Sequence, residues 1–197
     1  MASIDDIKAL RDRTGISIMQ CRKALEEAGD DMEKAVVILQ RKSKDAADKK
    51  SDRTIGAGTV GSYVHAGGTI AAMVELVCET DFVARNVEFV ALANDIAMHI
   101  AAMAPAYRSM DDITEEEMSR VKGIMEDEVN KEGDKPAEIR EMILTGKINS
   151  YFKERVLLEQ PFIKEAEKTI GQIIKEAVQK FGENTQIAKF SRLAIGE

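Results

Sequence analysis

The sequence predicts an α+β fold from three features. Apolar residues recur at helical spacing in three short segments before residue 42. Two alternating runs flank Ala66-Gly67-Gly68, and a last alternating run occupies 186–193. The expected architecture is three N-terminal helices followed by a helix-rich region holding a three-stranded antiparallel sheet, built from the hairpin and the last run. The stretch 43–53 between them is rich in Lys, Asp and Ala. It reads as a mobile linker or a frayed helical extension, and it sets the expected organisation: 1–42 a three-helix partner-docking unit, 43–55 a charged linker, 56–197 an α+β core that also dimerises.

In the first segment Ser3 caps a helix whose face carries Ile4, Ile7 and Leu10, and Thr14-Gly15 breaks it. Ser17-Ile18-Met19-Gln20 has the spacing of a capping box, in which Ser and Gln satisfy each other's free amides. The helix that follows is expected to bury Ile18, Cys21, Ala24 and Leu25 and to end at Gly29 in a left-handed turn. Asp30 or Asp31 caps a third helix with Met32, Ala35, Val36 and Leu39 on its apolar side. So small a bundle has a thin core and suits docking better than catalysis. Arg11, Arg13, Arg22 and Lys23 around its first turns read as a solvated charged face.

In the hairpin, Val60, Ser62 and Val64 share one face, with Tyr63 and His65 on the other. The return strand covers 70–77. Phe89, Leu92, Ala93, Ile96, Ala97 and Ile100 mark a helix over 87–104, whose alanines allow close approach to the sheet, and Pro105 stops it. Thr114 and Glu117 open a charged helix running to about Lys131, with Gly133 as its end. Pro136 starts the next helix and Gly146 ends it. Another covers 147–158, closed by Gln160-Pro161. The helix over 169–181 ends at Gly182, and the run 186–193 supplies the third strand.

With 197 residues and 44% apolar content, the chain has enough material for a real core. Aromatic residues are only 5%, so that core is aliphatic. A net charge of -7 argues against direct nucleic-acid binding. The two cysteines, Cys21 and Cys78, lie in separate segments and form neither a disulfide framework nor a zinc pattern, which suits a reducing, cytoplasmic setting. The first residues are acidic without an apolar signal core, and no stretch is long and apolar enough to span a membrane.

The stretch 78–86, Cys-Glu-Thr-Asp-Phe-Val-Ala-Arg-Asn, joins the return strand to the long helix. A plain connector would be filled with Gly, Pro, Asn and Ser. Here two carboxylates flank a threonine and an aromatic follows. Two readings are open: Phe82 and Val83 tuck into the core while Asn86 caps the helix, or Phe82 is an apolar wedge for a partner with the Asp81 carboxylate beside it. Elsewhere, catalytic chemistry is thin. His65 and His99 lie in different elements, and no HExxH, GxSxG, Walker or paired CxxC motif is present. A Cys78–His65 nucleophile and base could be assembled if adjacent strands brought them near, but a thiol extending an apolar strand is by default buried and inert.

Two stretches together resemble the elongation factor Ts family. One runs over 10–25, Leu-Arg-Asp-Arg-Thr-Gly-Ile-Ser-Ile-Met-Gln-Cys-Arg-Lys-Ala-Leu, and the other over 75–86, Glu-Leu-Val followed by the Cys-to-Asn stretch above. His65-Ala66-Gly67-Gly68 and Glu159-Gln160-Pro161-Phe162 also match family pieces, and the resemblance extends from about Ile4 to the C-terminus. Where Ser17, Ile18 and Val77 stand, the family often has Gly, Met and Asn, which bears on fine packing and contact strength. The resemblance implies a guanine-nucleotide exchange factor for elongation factor Tu, with no cofactor and no enzymatic chemistry of its own. It implies that the N-terminal unit is similar to a ubiquitin-associated domain and docks on the GTPase through Arg11, Ile18, Met19 and Arg22. It implies that Thr80, Asp81, Phe82 and Val83 enter the GTPase near its Mg²⁺, and that the last helix and C-terminal tail also touch it. The chain resembles a short member in which only one sheet is visible. Such a sheet leaves edges and a face to cover, so a homodimer is expected. The alternative is a non-catalytic dimeric adaptor that binds a protein partner through its helical bundle. A cysteine-dependent enzyme is the third reading.

Overall fold

The computed structural model describes residues 2–131 and 136–196. Three helices come first: α1 (Ile4–Thr14), α2 (Ile18–Ala28) and α3 (Met32–Lys50). Ser3, Ser17 and Asp31 cap their N-termini through side-chain oxygens, and Gly15 and Gly29 end the first two at φ 67° and 66°. The Ser17–Gln20 pair is only half a capping box. Ser17 Oγ accepts from the Gln20 N–H, but the Gln20 side chain accepts from the Ser17 hydroxyl rather than from its amide.

The bundle core is Ile7, Leu10, Ile16, Cys21, Ala24, Leu25, Ala35 and Leu39. Helical spacing puts Ile4 and Ile18 on the apolar faces, yet both are exposed. Ile16, in the loop between α1 and α2, folds in and takes the space that Ile18 was expected to fill. Over 43–50 the chain takes the helical-extension reading. It continues α3, whose buried Ser43 is hydrogen-bonded to Leu39 O and to Gln179 of the last helix. Only the residues after Lys50 connect the bundle to the sheet.

The sheet has the order β1-β2-β5 and is antiparallel throughout, from β1 (Ala57–Val64), β2 (Ile70–Cys78) and β5 (Gln186–Ala194). Helix α5 (Val87–Met103) lies across its inner face with Phe89, Ala93, Ile96, Ala97 and Ile100 fully buried. The approach is close enough that a Cβ on Gly61 of β1 would stand 2.2 Å from the backbone of Ala93. Only glycine fits there. Helix α8 (Ile170–Phe181), capped by a Thr169–Gln172 box, closes the core with Ile170, Ile174, Ala177 and Val178.

The register of β5 shifts opposite Glu75 and Leu76, so that Ala188 is left as a bulge. Ile187 and Phe190, which simple alternation puts on opposite faces, therefore both pack against the core. The outer face is left open. Across it run the rows Val64–Ala71–Leu193 and Ser62–Met73–Ser191, with an ion-paired Glu75–Lys189 beside them. Val60, Val64, Met73 and Leu193 are all exposed there.

Between α5 and α8 stand two elements packed on each other, α6 (Glu115–Lys131) and α7 (Ala137–Lys153). Gly146, expected to end one helix before another starts, lies inside the continuous α7, which ends earlier than the expected 158. Phe152, Ile148 and Tyr151 of α7 pack with Val121, Met118 and Met125 of α6. That packing outweighs the roughly 1 kcal/mol that a helical glycine costs. The expected stop at Gly133 lies outside the described residues. A short hairpin, β3 (Pro161–Phe162) with β4 (Glu165–Thr169), was not anticipated.

Candidate functional site

The site starts where β2 ends. Past Cys78 the chain leaves the ladder and makes one helical turn, α4 (Asp81–Ala84), before Asn86 caps α5 by accepting from the Glu88 N–H at 2.8 Å. The structure divides the turn between core and solvent. Ala84 is buried and Val83 packs against the core, which anchors the turn. Phe82 points the other way and is 86% exposed, next to an Asp81 carboxylate paired with Arg85 at 3.2 Å. A phenyl ring left almost wholly in water, on a turn whose neighbours are anchored, is an unusual use of a large apolar side chain.

Thr80 is the N-cap of α4. Its Oγ1 accepts from the Val83 N–H at 3.5 Å and donates to Glu183 Oε1 at 2.6 Å. Glu183 Oε2 accepts the backbone amides of Glu79 and Thr80 at 3.1 and 3.0 Å. In return Glu79 Oε1 accepts the amide of Asn184 at 2.6 Å. The Asn184 side-chain amide donates to the carbonyls of Ser51 and Arg53 at 3.1 and 3.0 Å. The loop between α8 and β5 therefore grips both the turn and the chain leaving α3.

The other candidate residues sit on the bundle. Ile18 and Met19, in the first turn of α2, are 53% and 65% exposed. Arg11 is exposed in the last turn of α1, and Arg22 is exposed and paired with Glu26 at 2.9 Å. The end of α8 stands between this surface and the start of α5. A Cβ on Gly15, between α1 and α2, would stand 3.3 Å from Lys180 Nζ, and that ammonium lies 2.9 Å from Glu88 Oε1 at the start of α5. Lys180, Glu183 and Asn184 carry no local sequence signal. A charged residue near a helix-ending glycine is ordinary, and their partners lie far away in the chain.

The Cys78–His65 pairing does not form. Cys78 faces Ala57 at one end of the hairpin and His65 follows Val64 at the other, about 25 Å along the strands. Cys78 is buried, burial pushes its thiol up from the ordinary range, and the thiol donates to Thr80 O. His65 Nδ1 is hydrogen-bonded to the Tyr63 hydroxyl at 3.1 Å. Among the described residues no group of His, Cys, Asp and Glu is arranged to hold a metal ion, and no helix is long and apolar enough to cross a membrane.

Comparison with known proteins shows the family. The family model described as elongation factor TS matches residues 48–197. The chain is 44% identical over 197 residues to elongation factor Ts of Thermosipho melanesiensis, covering 100% of both chains. It is 46% identical over 191 residues to elongation factor Ts of Thermodesulfovibrio yellowstonii, covering 97% of this chain and 94% of that one. With elongation factor Ts of Desulforamulus reducens the identity is 45% over 191 residues, covering 97% and 88%.

Proposed function

The chain belongs to the elongation factor Ts family of translation elongation factors, and from that premise we propose that it is the guanine-nucleotide exchange factor of elongation factor Tu. The observation that carries the reading is Phe82, exposed beside Asp81 on a turn whose flanks are anchored.

In this reading the bundle docks on the GTPase through Arg11, Ile18, Met19 and Arg22. The turn 80–83 then enters near the Mg²⁺ that the GTPase holds. Mg²⁺ demands near-ideal octahedral geometry from oxygen ligands. A ring inserted among the groups that position those ligands, with the Asp81 carboxylate beside it, weakens the hold on metal and phosphates together. Thr80 and Val83 contribute by fixing the turn. No bond of the nucleotide is made or broken, so no nucleophile or base is required. The coupling is reciprocal: a factor that lowers GDP affinity is itself released when nucleotide binds. The Mg²⁺ and the nucleotide belong to the partner.

The open outer face of the sheet supports a homodimer in which two copies cover each other's exposed Val60, Val64, Met73 and Leu193. Release of a fluorescent GDP from elongation factor Tu, followed with and without this protein, tests the function. A large acceleration at catalytic amounts of factor is expected. Release unchanged at saturating factor would overturn the reading.

A further inference from the structure

We infer that Glu183 is the positioning residue for the Asp81–Phe82 wedge, an inference that rests on the exchange function proposed above. A wedge acts only if it is held. A four-residue helix cannot hold itself, because one turn of hydrogen bonds does not repay the cost of nucleation. The cap that Thr80 offers Val83 is long, at 3.5 Å. At the point where the chain leaves β2, the amides of Glu79 and Thr80 find their acceptor in the Glu183 carboxylate, which also takes the Thr80 hydroxyl. Three donors converge on one carboxylate from a residue 104 positions away in sequence. Hydrogen bonds to an ionised acceptor are about twice as strong as neutral ones.

The clasp is two-sided, since the Glu79 carboxylate accepts the Asn184 amide. With Val83 and Ala84 packed below, these bonds leave Phe82, with Asp81 beside it, exposed on α4 to enter a partner at a set height and angle. The same loop, through Asn184, holds the chain that leaves the docking bundle. Glu183 thus fixes the wedge relative to the surface that brings it to the GTPase.

The test compares wild type, Glu183→Ala and Glu183→Gln in three measurements: thermal melts, amide hydrogen exchange of Glu79 and Thr80 in the free chain, and release of fluorescent GDP from elongation factor Tu over a range of factor concentrations. For Glu183→Ala, exchange at the two amides rises. The maximal release rate falls about tenfold while the half-saturating concentration stays within about twofold, because docking is intact and only the wedge is misplaced. The melting temperature falls by only about 4 °C. Glu183→Gln recovers most of the rate, since its carbonyl oxygen still accepts both amides and its NH₂ can donate to Thr80 Oγ1. If Glu183→Ala matches the wild-type maximal rate, the positioning role is overturned while the exchange function stands. Equal losses in both variants that track a large fall in melting temperature also overturn it, in favour of plain scaffolding. A wild-type chain that does not accelerate release overturns the exchange function, and this role with it.

Discussion

The buried imidazole of His99 donates from Nε2 to Gln160 Oε1 across 3.0 Å, and its Nδ1 accepts the Ile163 N–H at 3.3 Å. Gln160 is held in that orientation because its own NH₂ donates to the carbonyls of Glu154 and Met103. A donor on one ring nitrogen and an acceptor on the other define a neutral imidazole. A second proton would face the Ile163 N–H without an acceptor.

This arrangement makes the core sensitive to acid. Burial pushes His99 below its ordinary value of 6.5, and the bond to Gln160 offsets that in part. The unfolded chain therefore binds this proton at higher pH than the folded one. The stability tied to a neutral His99 is present above about 6.5 and is lost as pH falls below it towards the folded value. Glu176, whose half-buried carboxyl is pushed above the usual range by burial, works in the opposite direction, so the comparison with a variant carries the test. Urea midpoints of wild type should fall between pH 7 and pH 5.5. Those of His99→Gln should start lower and change less. Parallel profiles would remove His99 as the cause.

The wedge should be separable from stability. Truncating a core phenylalanine costs about 3–5 kcal/mol, whereas an exposed ring away from special contacts changes stability by about 0.5 kcal/mol or less. Asp81→Ala with Phe82→Ala should melt close to wild type, still bind elongation factor Tu through the bundle, and accelerate GDP release much less. A large fall in melting temperature with normal release per folded molecule would return Phe82 to the core.

On the bundle, Ile18→Ala with Met19→Ala should leave the fold intact, because both side chains already lie in water. Affinity for elongation factor Tu should fall about tenfold or more, the scale of losing apolar anchors from an interface. Buried Ile16 gives the contrast, since Ile16→Ala should cost about 2–5 kcal/mol of stability. A binding titration that shows no change for the double variant would make Ile18 and Met19 a solvated face.

The sheet supplies a prediction about assembly. Light scattering at micromolar concentration should give a dimer mass for wild type and a monomer mass for Leu193→Glu combined with Met73→Glu, which puts carboxylates in place of two exposed apolar side chains of that face. A wild-type monomer at that concentration would sink the idea.

Local chemistry made much of the architecture legible. The capping residues Ser3, Asp31 and Asn86 and the left-handed glycines at 15, 29 and 182 act within a few residues of themselves, so their neighbours suffice to read them. The apolar periods of α5 and α8 and the alternation in the hairpin and the last strand come from the same short-range rules. At the site, the sequence singles out Asp81, Phe82, Ile18 and Met19, by their unusual setting and by family resemblance.

What stayed hidden depends on which residues meet across long separations. Helix α7 runs through Gly146 because α6 packs along it. The Ala188 bulge, set by pairing with β2, turns Ile187 and Phe190 to the same side. Ile16 displaces Ile18 from the bundle core only once the three helices close. The sequence by itself determined the three N-terminal helices, the hairpin and the last strand, α5 and α8, their order, and the unusual turn at 80–83, since those follow from propensities, caps and spacing over a turn or two. Only the tertiary structure decided that Phe82 faces water while Val83 faces the core, and that Glu183 clasps the turn that carries Phe82. Such pairings are chosen by packing and hydrogen-bond satisfaction between segments about a hundred residues apart, where local preference, worth about 1 kcal/mol or less per residue, has no say.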